Sequence, residues 1–212
     1  MEKEVELPPL SKPFTDKSFP QARQLALNYL NSRKVSEQTA IKQQLHYTPN
    51  SIVFPYVEYD TIVFWQSRDL IEKKFLFPDE SLTGLAKTDY LYNFDNIEPG
   101  DDIIIVESIF NCISLGDGCV ASGGAIISGA QPRKLRVFNP KVLILAPDND
   151  DAGKKSLRSN FFLLHKDFAL AYCLPPLGVK DWNDFEQARG VDSARKYVER
   201  NTYALTLSKI AA

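Results

Sequence analysis

The sequence predicts an α/β protein, a parallel sheet flanked by helices, with a smaller α+β segment in front of it. Three observations carry this. Residues 102–106, 141–146 and 168–173 are short, mostly apolar runs, the texture of strands buried on both faces. Helix-like stretches separate them, and strand–helix alternation closes into a parallel sheet through right-handed crossovers. Upstream, two β-rich runs joined by a short turn mark a different architecture.

The 212 residues, 44% of them hydrophobic, suit one large domain or two small ones with a buried core. No stretch approaches the ~20 consecutive apolar residues that cross a bilayer. The N-terminal MEKEVELPPL is acidic where a signal peptide is basic, which argues for a cytoplasmic protein. Cys112, Cys119 and Cys173 form no Cys-x-x-Cys pair, and only His46 and His165 could supplement them, so no zinc site is expected. A net charge of −2 gives no general affinity for nucleic acid; any such contact must come from local patches.

In order along the chain, residues 1–19 read as an extended arm. From Pro20, Ala22, Leu25, Ala26 and Tyr29 fall on one helical face. Ser36 followed by Glu37 marks a second helix start. Residues 51–57 and 61–66 form a hairpin across Glu58-Tyr59-Asp60. Residues 68–100 are mixed, with Arg68, Lys73, Lys74 and Lys87 set among Phe75, Phe77, Tyr90 and Tyr92, and Pro99-Gly100 ends the first subdomain (residues 20–99). Strand 102–106, helix 109–115, a brief run at 119–121, a turn at Gly123-Gly124, strand 141–146, helix 152–166 and strand 168–173 make up a second domain, residues 100–190. A C-terminal helix is expected within 191–212.

Acids fall where the apolar strands stop. Glu107 ends IIIVE, Asp148 and Asp150 end VLILAPDND, and Asp181 and Asp184 lie in KDWND after the third strand. In an open parallel sheet the carboxyl ends of strands share one edge, where ligands bind. Carboxylates gathered there repel one another, and a hard cation such as Mg²⁺ relieves that repulsion. As isolated residues these acids would instead read as helix caps and solvated loop residues. The helix start Asp151-Ala152-Gly153-Lys154-Lys155 offers a free N-terminus and two cations to a phosphate.

At these residues the sequence resembles the Toprim domain of DnaG-type and phage primases. VES at 106–108 is similar to that family's Val-Glu-Gly, DNDDAG at 148–153 to its Asp-Gly-Asp-x-Ala-Gly, KDWND at 180–184 to its downstream acidic motif, and ASGG at 121–124 to its Ser-x-Gly turn. The segments ALNYLNSRKVSEQTAIKQQLHYTPNSIVFPY and FWQSRDL…KKFLFPDES…AKTDYLYNFD resemble the small subdomain that precedes Toprim in primases. The likeness covers roughly residues 22–187. Ser108 in place of glycine and Asp151 in place of an often basic residue depart from the pattern.

The resemblance implies a Toprim-type, Rossmann-like parallel sheet and a nucleotidyltransferase of primase type, synthesising short RNA primers from ribonucleotides on single-stranded DNA. It implies that Glu107, Asp148 and Asp150 are catalytic, and that Glu107, Asp148, Asp150, Asp181 and Asp184 hold Mg²⁺ (or Mn²⁺), with Glu107 either a ligand or a general base. Arg68, Lys74, Lys87 and Lys154 would face nucleotide or template. The family's zinc-binding module is absent from this sequence, so either another protein would supply it or this chain has lost or changed that recognition; a replicative helicase is a further partner the resemblance suggests. A compact protein of this kind suggests a phage or mobile element, acting in the host cytoplasm. Two other readings stay open: a Toprim nuclease, and a non-catalytic replication adaptor that binds a helicase or single-stranded DNA.

Overall fold

A computed structural model describes residues 5–211, and residues 1–4 of the expected arm and residue 212 lie outside them. The chain divides into two compact units, Met1–Tyr90 and Leu91–Ala212. The division falls before Leu91 rather than before Gly100, because Leu91, Phe94 and Ile97 bury in the apolar core of the second unit.

The first unit is an antiparallel sheet with helices. Strand β1 (Lys12–Pro13) is followed by α1 (Pro20–Ser32), α2 (Glu37–Lys42), β2 (His46–Tyr47), β3 (Ser51–Glu58), β4 (Thr61–Asp69), β5 (Phe75–Leu76) and the short α3 (Glu80–Thr83). The strands pair in sequence order, β1-β2-β3-β4-β5. Proline at the start of α1 costs nothing there, since the first helical N–H groups have no intrahelical partner. Ser36 caps α2 by accepting from Thr39 N at 3.0 Å, as its position in the sequence predicts. The hairpin turns through Tyr59 and Asp60, both at positive φ (54° and 60°), the twist that two-residue hairpin loops favour. Pro55 sits in β3 beyond the point where β2 ends opposite Val53, so β4 alone flanks it there.

The N-terminal arm is docked. Lys12–Pro13 pairs with β2, Phe14 is buried, Val5 N donates to Ile62 O, and Trp65 Nε1 donates to Glu6 O. Phe14 lies against Tyr47 with ring centroids 5.5 Å apart, an apolar anchor that charge-rich flanking sequence conceals.

The second unit contains β6 (Ile103–Val106), α4 (Ile109–Leu115), β7 (Cys119–Ala121), α5 (Gln131–Val137), β8 (Leu143–Leu145), α6 (Asp151–Leu164), β9 (Leu170–Tyr172), α7 (Trp182–Arg189), α8 (Ser193–Arg200), β10 (Tyr203–Ala204) and α9 (Leu207–Ala211). Strand order is β10-β9-β8-β6-β7. Strands β7, β6, β8 and β9 are parallel, and β10 adds an antiparallel edge. All four residues of β6 are buried, as a strand covered on both faces requires. Ile103, Ile105, Leu143 and Leu145 join one core with Leu135, Phe161 and Leu164 from α5 and α6. Elsewhere α4 packs with α7 and α8.

The C-terminal segment is not one helix. Asn201 and Thr202 interrupt it, and Tyr203 and Ala204 pair with Tyr172 and Ala171 of β9. The satisfied edge of β9 outweighs the helical pattern, and α9 then carries Ile210 back onto the core. Among the described residues no helix is long and apolar enough to cross a membrane.

Candidate active site

Backbone register places the acids. Ile105 of β6 is opposite Leu145 of β8, and Ala146 N donates to Ile105 O at 2.9 Å. The chain leaves both strands in the same direction, so Glu107 and Asp148 emerge at one edge of the sheet. The loop carrying Asp148 is tied to the segment before α7 through Asn149, whose N donates to Lys180 O at 2.7 Å and whose Nδ2 donates to Pro175 O at 3.2 Å. That stitch delivers Asp181 to the same edge.

The acids differ in how their oxygens are used. Asp150 caps α6, accepting from Gly153 N at 2.8 Å, and Asp181 caps α7, accepting from Asp184 N at 2.8 Å. Asp148 Oδ1 accepts from Asn111 Nδ2 at 2.9 Å. Glu107 Oε1 is buried without a hydrogen-bond partner. A lone buried carboxylate oxygen is costly, and such atoms concentrate where an ion or reactant belongs.

Electrostatics shows that these groups share one space. Burial, then the charges of Asp148 and Asp150, push the Glu107 carboxyl up to about 7, against a smaller opposing pull from Lys180. Burial, then Asp181 and Asp150, push Asp148 up to about 6, while Asn111 and Lys180 oppose. Glu107, Asp148, Asp150 and Asp181 therefore form one interacting group. Asp184 follows at the start of α7, its backbone N bonded to Asp181 and its Oδ1 3.4 Å from Gln187 Nε2.

Three of the remaining expected residues belong to the first unit and one to the second. In the first unit the Arg68 guanidinium lies 4.8 Å from the centroid of the exposed Phe75 ring and donates to Lys73 O, with its Nε buried and unpaired. Lys74 pairs with Glu72, and Lys87 lies 5.1 Å from the centroid of Phe77. In the second unit Lys154 lines a cavity that none of the four interacting acids borders.

Several residues at the acid edge have no expected role from sequence. Lys180 acts on both Glu107 and Asp148, and its place within KDWND was the available signal. Asn111 donates to Asp148 and accepts from Asn183 N at 3.0 Å; Asn183 Nδ2 donates to Ser114 Oγ at 3.0 Å. Asn111 and Asn183 are each 1% exposed, so this is a buried polar chain linking α4, α7 and the acid. A polar residue inside the apolar run IFNCISL was its only trace. Gly153 admits α6 to the acid loop, since a Cβ there would stand 2.1 Å from Asp148 O.

The donor set can be weighed against a divalent cation. Among the described residues no group of three His, Cys, Asp or Glu side chains is arranged to hold a metal ion. Two of the four acids commit one oxygen to a helix N-terminus and keep the other. Mg²⁺ needs only one or two protein carboxylates beside water and phosphate oxygens. Hard oxygen donors, mutual repulsion and the orphaned Glu107 oxygen fit such an ion.

Residues 104–186 match the Toprim-like family. The second unit is a Toprim-like domain. Outside the Toprim-like domain the similarity continues. The chain is 30% identical over 162 residues to a DNA primase of Clostridium acetobutylicum, covering 71% of this chain but only 26% of that protein. Its fold matches an Aquifex aeolicus primase structure comprising zinc-binding and RNA polymerase domains, with TM-score 0.70, 20% identity, and 87% of this chain aligned to 59% of the other. A DNA primase domain from Pseudomonas aeruginosa aligns with TM-score 0.67 and 18% identity over 91% of this chain and 76% of the other. The likeness in fold to these structures extends over most of the chain.

Proposed function

We propose that this chain is the catalytic core of a DNA primase, joining ribonucleotides on a single-stranded DNA template in a divalent-metal-dependent reaction. The observation that carries this is the orphaned, buried Oε1 of Glu107, whose carboxyl is under the charges of Asp148 and Asp150 at the carboxyl edge of the Toprim-like sheet. Likeness to named primases supports it.

Glu107 and Asp148 would hold Mg²⁺ or Mn²⁺, with Asp150 and Asp181 contributing the oxygens not spent on capping. A bound ion would supply charge neutralisation for the triphosphate and its pyrophosphate leaving group. The protein's own residues have separable tasks. Burial and the neighbouring acids raise the Glu107 carboxyl in the metal-free chain, and an ion held there would favour its carboxylate form. Asn111 fixes the direction of the Asp148 carboxylate, and Lys180 offsets part of the negative charge that would repel an incoming triphosphate. Arg68, Lys74 and Lys87 in the first unit would contact nucleotide or template phosphates, making binding steeply salt-dependent. A replicative helicase and a zinc-binding module are the partners this reading calls for.

Incorporation of labelled ribonucleotides on single-stranded DNA with Mg²⁺ tests it. Glu107→Gln and Asp148→Asn should each abolish synthesis while the variants remain folded. Synthesis retained in both would refute the assignment. A folded wild-type chain that nicks plasmid DNA instead would make it a nuclease, and one inert in both assays but bound to a helicase would make it an adaptor.

A further inference from the structure

Helix α6 begins at the acid edge, but the cations of its first turns line a different space. Lys154, Lys155 and Arg158 share a cavity of about 310 Å³ with Lys209 of α9. No aspartate or glutamate lines it. Among the described residues none of the three lysines has an ion-pair partner, and Arg158 lies 5.9 Å from the centroid of the Phe162 ring. Four like charges held around one hollow repel one another, and a multivalent anion removes that repulsion.

The rest of the wall is apolar. Leu157 and Leu205 form part of it, and Tyr172, partly buried at the end of β9, presents an aromatic ring. An inorganic anion has no use for such a floor. A nucleotide unit uses both halves, its phosphates on the cations and its base or sugar against the ring. The volume is at the small end of sites that enclose a ligand of this size, ~300–1,000 Å³.

We propose that this cavity binds the phosphate and base of a nucleotide unit without a metal ion, beside the acid edge rather than in it. The unit would be a free nucleoside triphosphate or one residue of a single strand. Separation from the acids is structural. Neither Glu107 nor Asp148 lines the cavity. Lys154 nonetheless follows the capping Asp150 by one helical turn, about 6 Å of rise. A nucleotide held there would sit next to the reacting edge.

The test uses the full chain in chelator, where metal-dependent binding at the acids is silent. ATP and an oligothymidylate are titrated separately by calorimetry into wild type, a Lys155→Ala/Arg158→Ala/Lys209→Ala triple variant, and Glu107→Gln. At least one ligand should bind wild type, and the triple variant should bind it roughly tenfold or more weakly, as the loss of several charge-assisted contacts dictates. Glu107→Gln should bind as wild type does. Which ligand binds tells the free nucleotide from the strand. Absence of binding by both ligands, unchanged affinity in the triple variant, or loss in Glu107→Gln would each overturn the proposal. So would a polyglutamate or inorganic pyrophosphate that binds as tightly as the nucleotide ligands. If the triple variant melts early, Lys209→Ala alone, at the exposed end of the chain, replaces it with the same criteria.

Discussion

Asn111 donates its side-chain N–H to Asp148 at 2.9 Å, across a separation of 37 residues. The same carboxamide accepts from the backbone of Asn183, so one buried side chain joins α4, the acid after β8, and α7. Asn111→Leu should remove the partner of a half-buried carboxylate and of the Asn183 N–H. The expected cost is about 1–3 kcal/mol of folding free energy, the price of buried polar groups left unsatisfied. Urea unfolding measures it, and a change within experimental error would mean that water replaces the carboxamide.

Gly153→Ala should act through shape. The added Cβ would meet Asp148 O at 2.1 Å, so either α6 or the acid loop must shift. A loss of about 1–3 kcal/mol is expected from such overpacking. Thermal unfolding checks it, and an unperturbed melting temperature would contradict the close approach.

Glu107 predicts a pH dependence of stability in metal-free protein. Its carboxyl is raised from an ordinary 4.5 to about 7 in the folded chain. The folded state therefore holds that proton more tightly than the unfolded one, a contribution that favours folding below about pH 4.5 and is lost as pH rises through 7. Glu107→Gln should flatten this slope and stabilise the metal-free chain above pH 7 by about 1 kcal/mol, after discounting for solvent screening at a half-buried site. Melting curves across that range in chelator decide; a variant less stable than wild type at high pH would show Glu107 to be satisfied rather than orphaned.

Lys180 should set where the acids titrate. It lowers the pKa of both Glu107 and Asp148. Lys180→Ala should move both carboxyl titrations to higher pH, read by carbon NMR of the side-chain carboxyls. A titration that does not move would place the ammonium away from the acids in solution.

Much of this arrangement is legible in sequence for a simple reason. The strands β6, β8 and β9 are short apolar runs because helices cover both faces, and the chain beyond each leads to an acid, at once after β6 and through a loop after β8 and β9. Reading where they stop therefore finds Glu107, Asp148, Asp150 and Asp181. Asp184 has the same composition signal, and its backbone N donates to Asp181 at the start of α7. What stays illegible depends on pairing between distant segments. Two residues, Tyr203 and Ala204, suffice to add β10, too few to disturb a helical pattern. Phe14 anchors an arm otherwise rich in charge, proline and hydroxyl residues. The contact between Asn111 and Asn183 spans 72 residues and involves a backbone N–H, which no side-chain pattern encodes.

Binding of Mn²⁺ followed by electron paramagnetic resonance at about pH 8, above the raised carboxyl pKa values, tests the convergence of these acids most directly. Wild type should take up the ion, and Glu107→Gln and Asp148→Asn should each weaken uptake severalfold or more, because each removes a donor from the same site. Uptake undiminished in both variants would show that Glu107 and Asp148, though neighbours at one edge, do not hold a common ion.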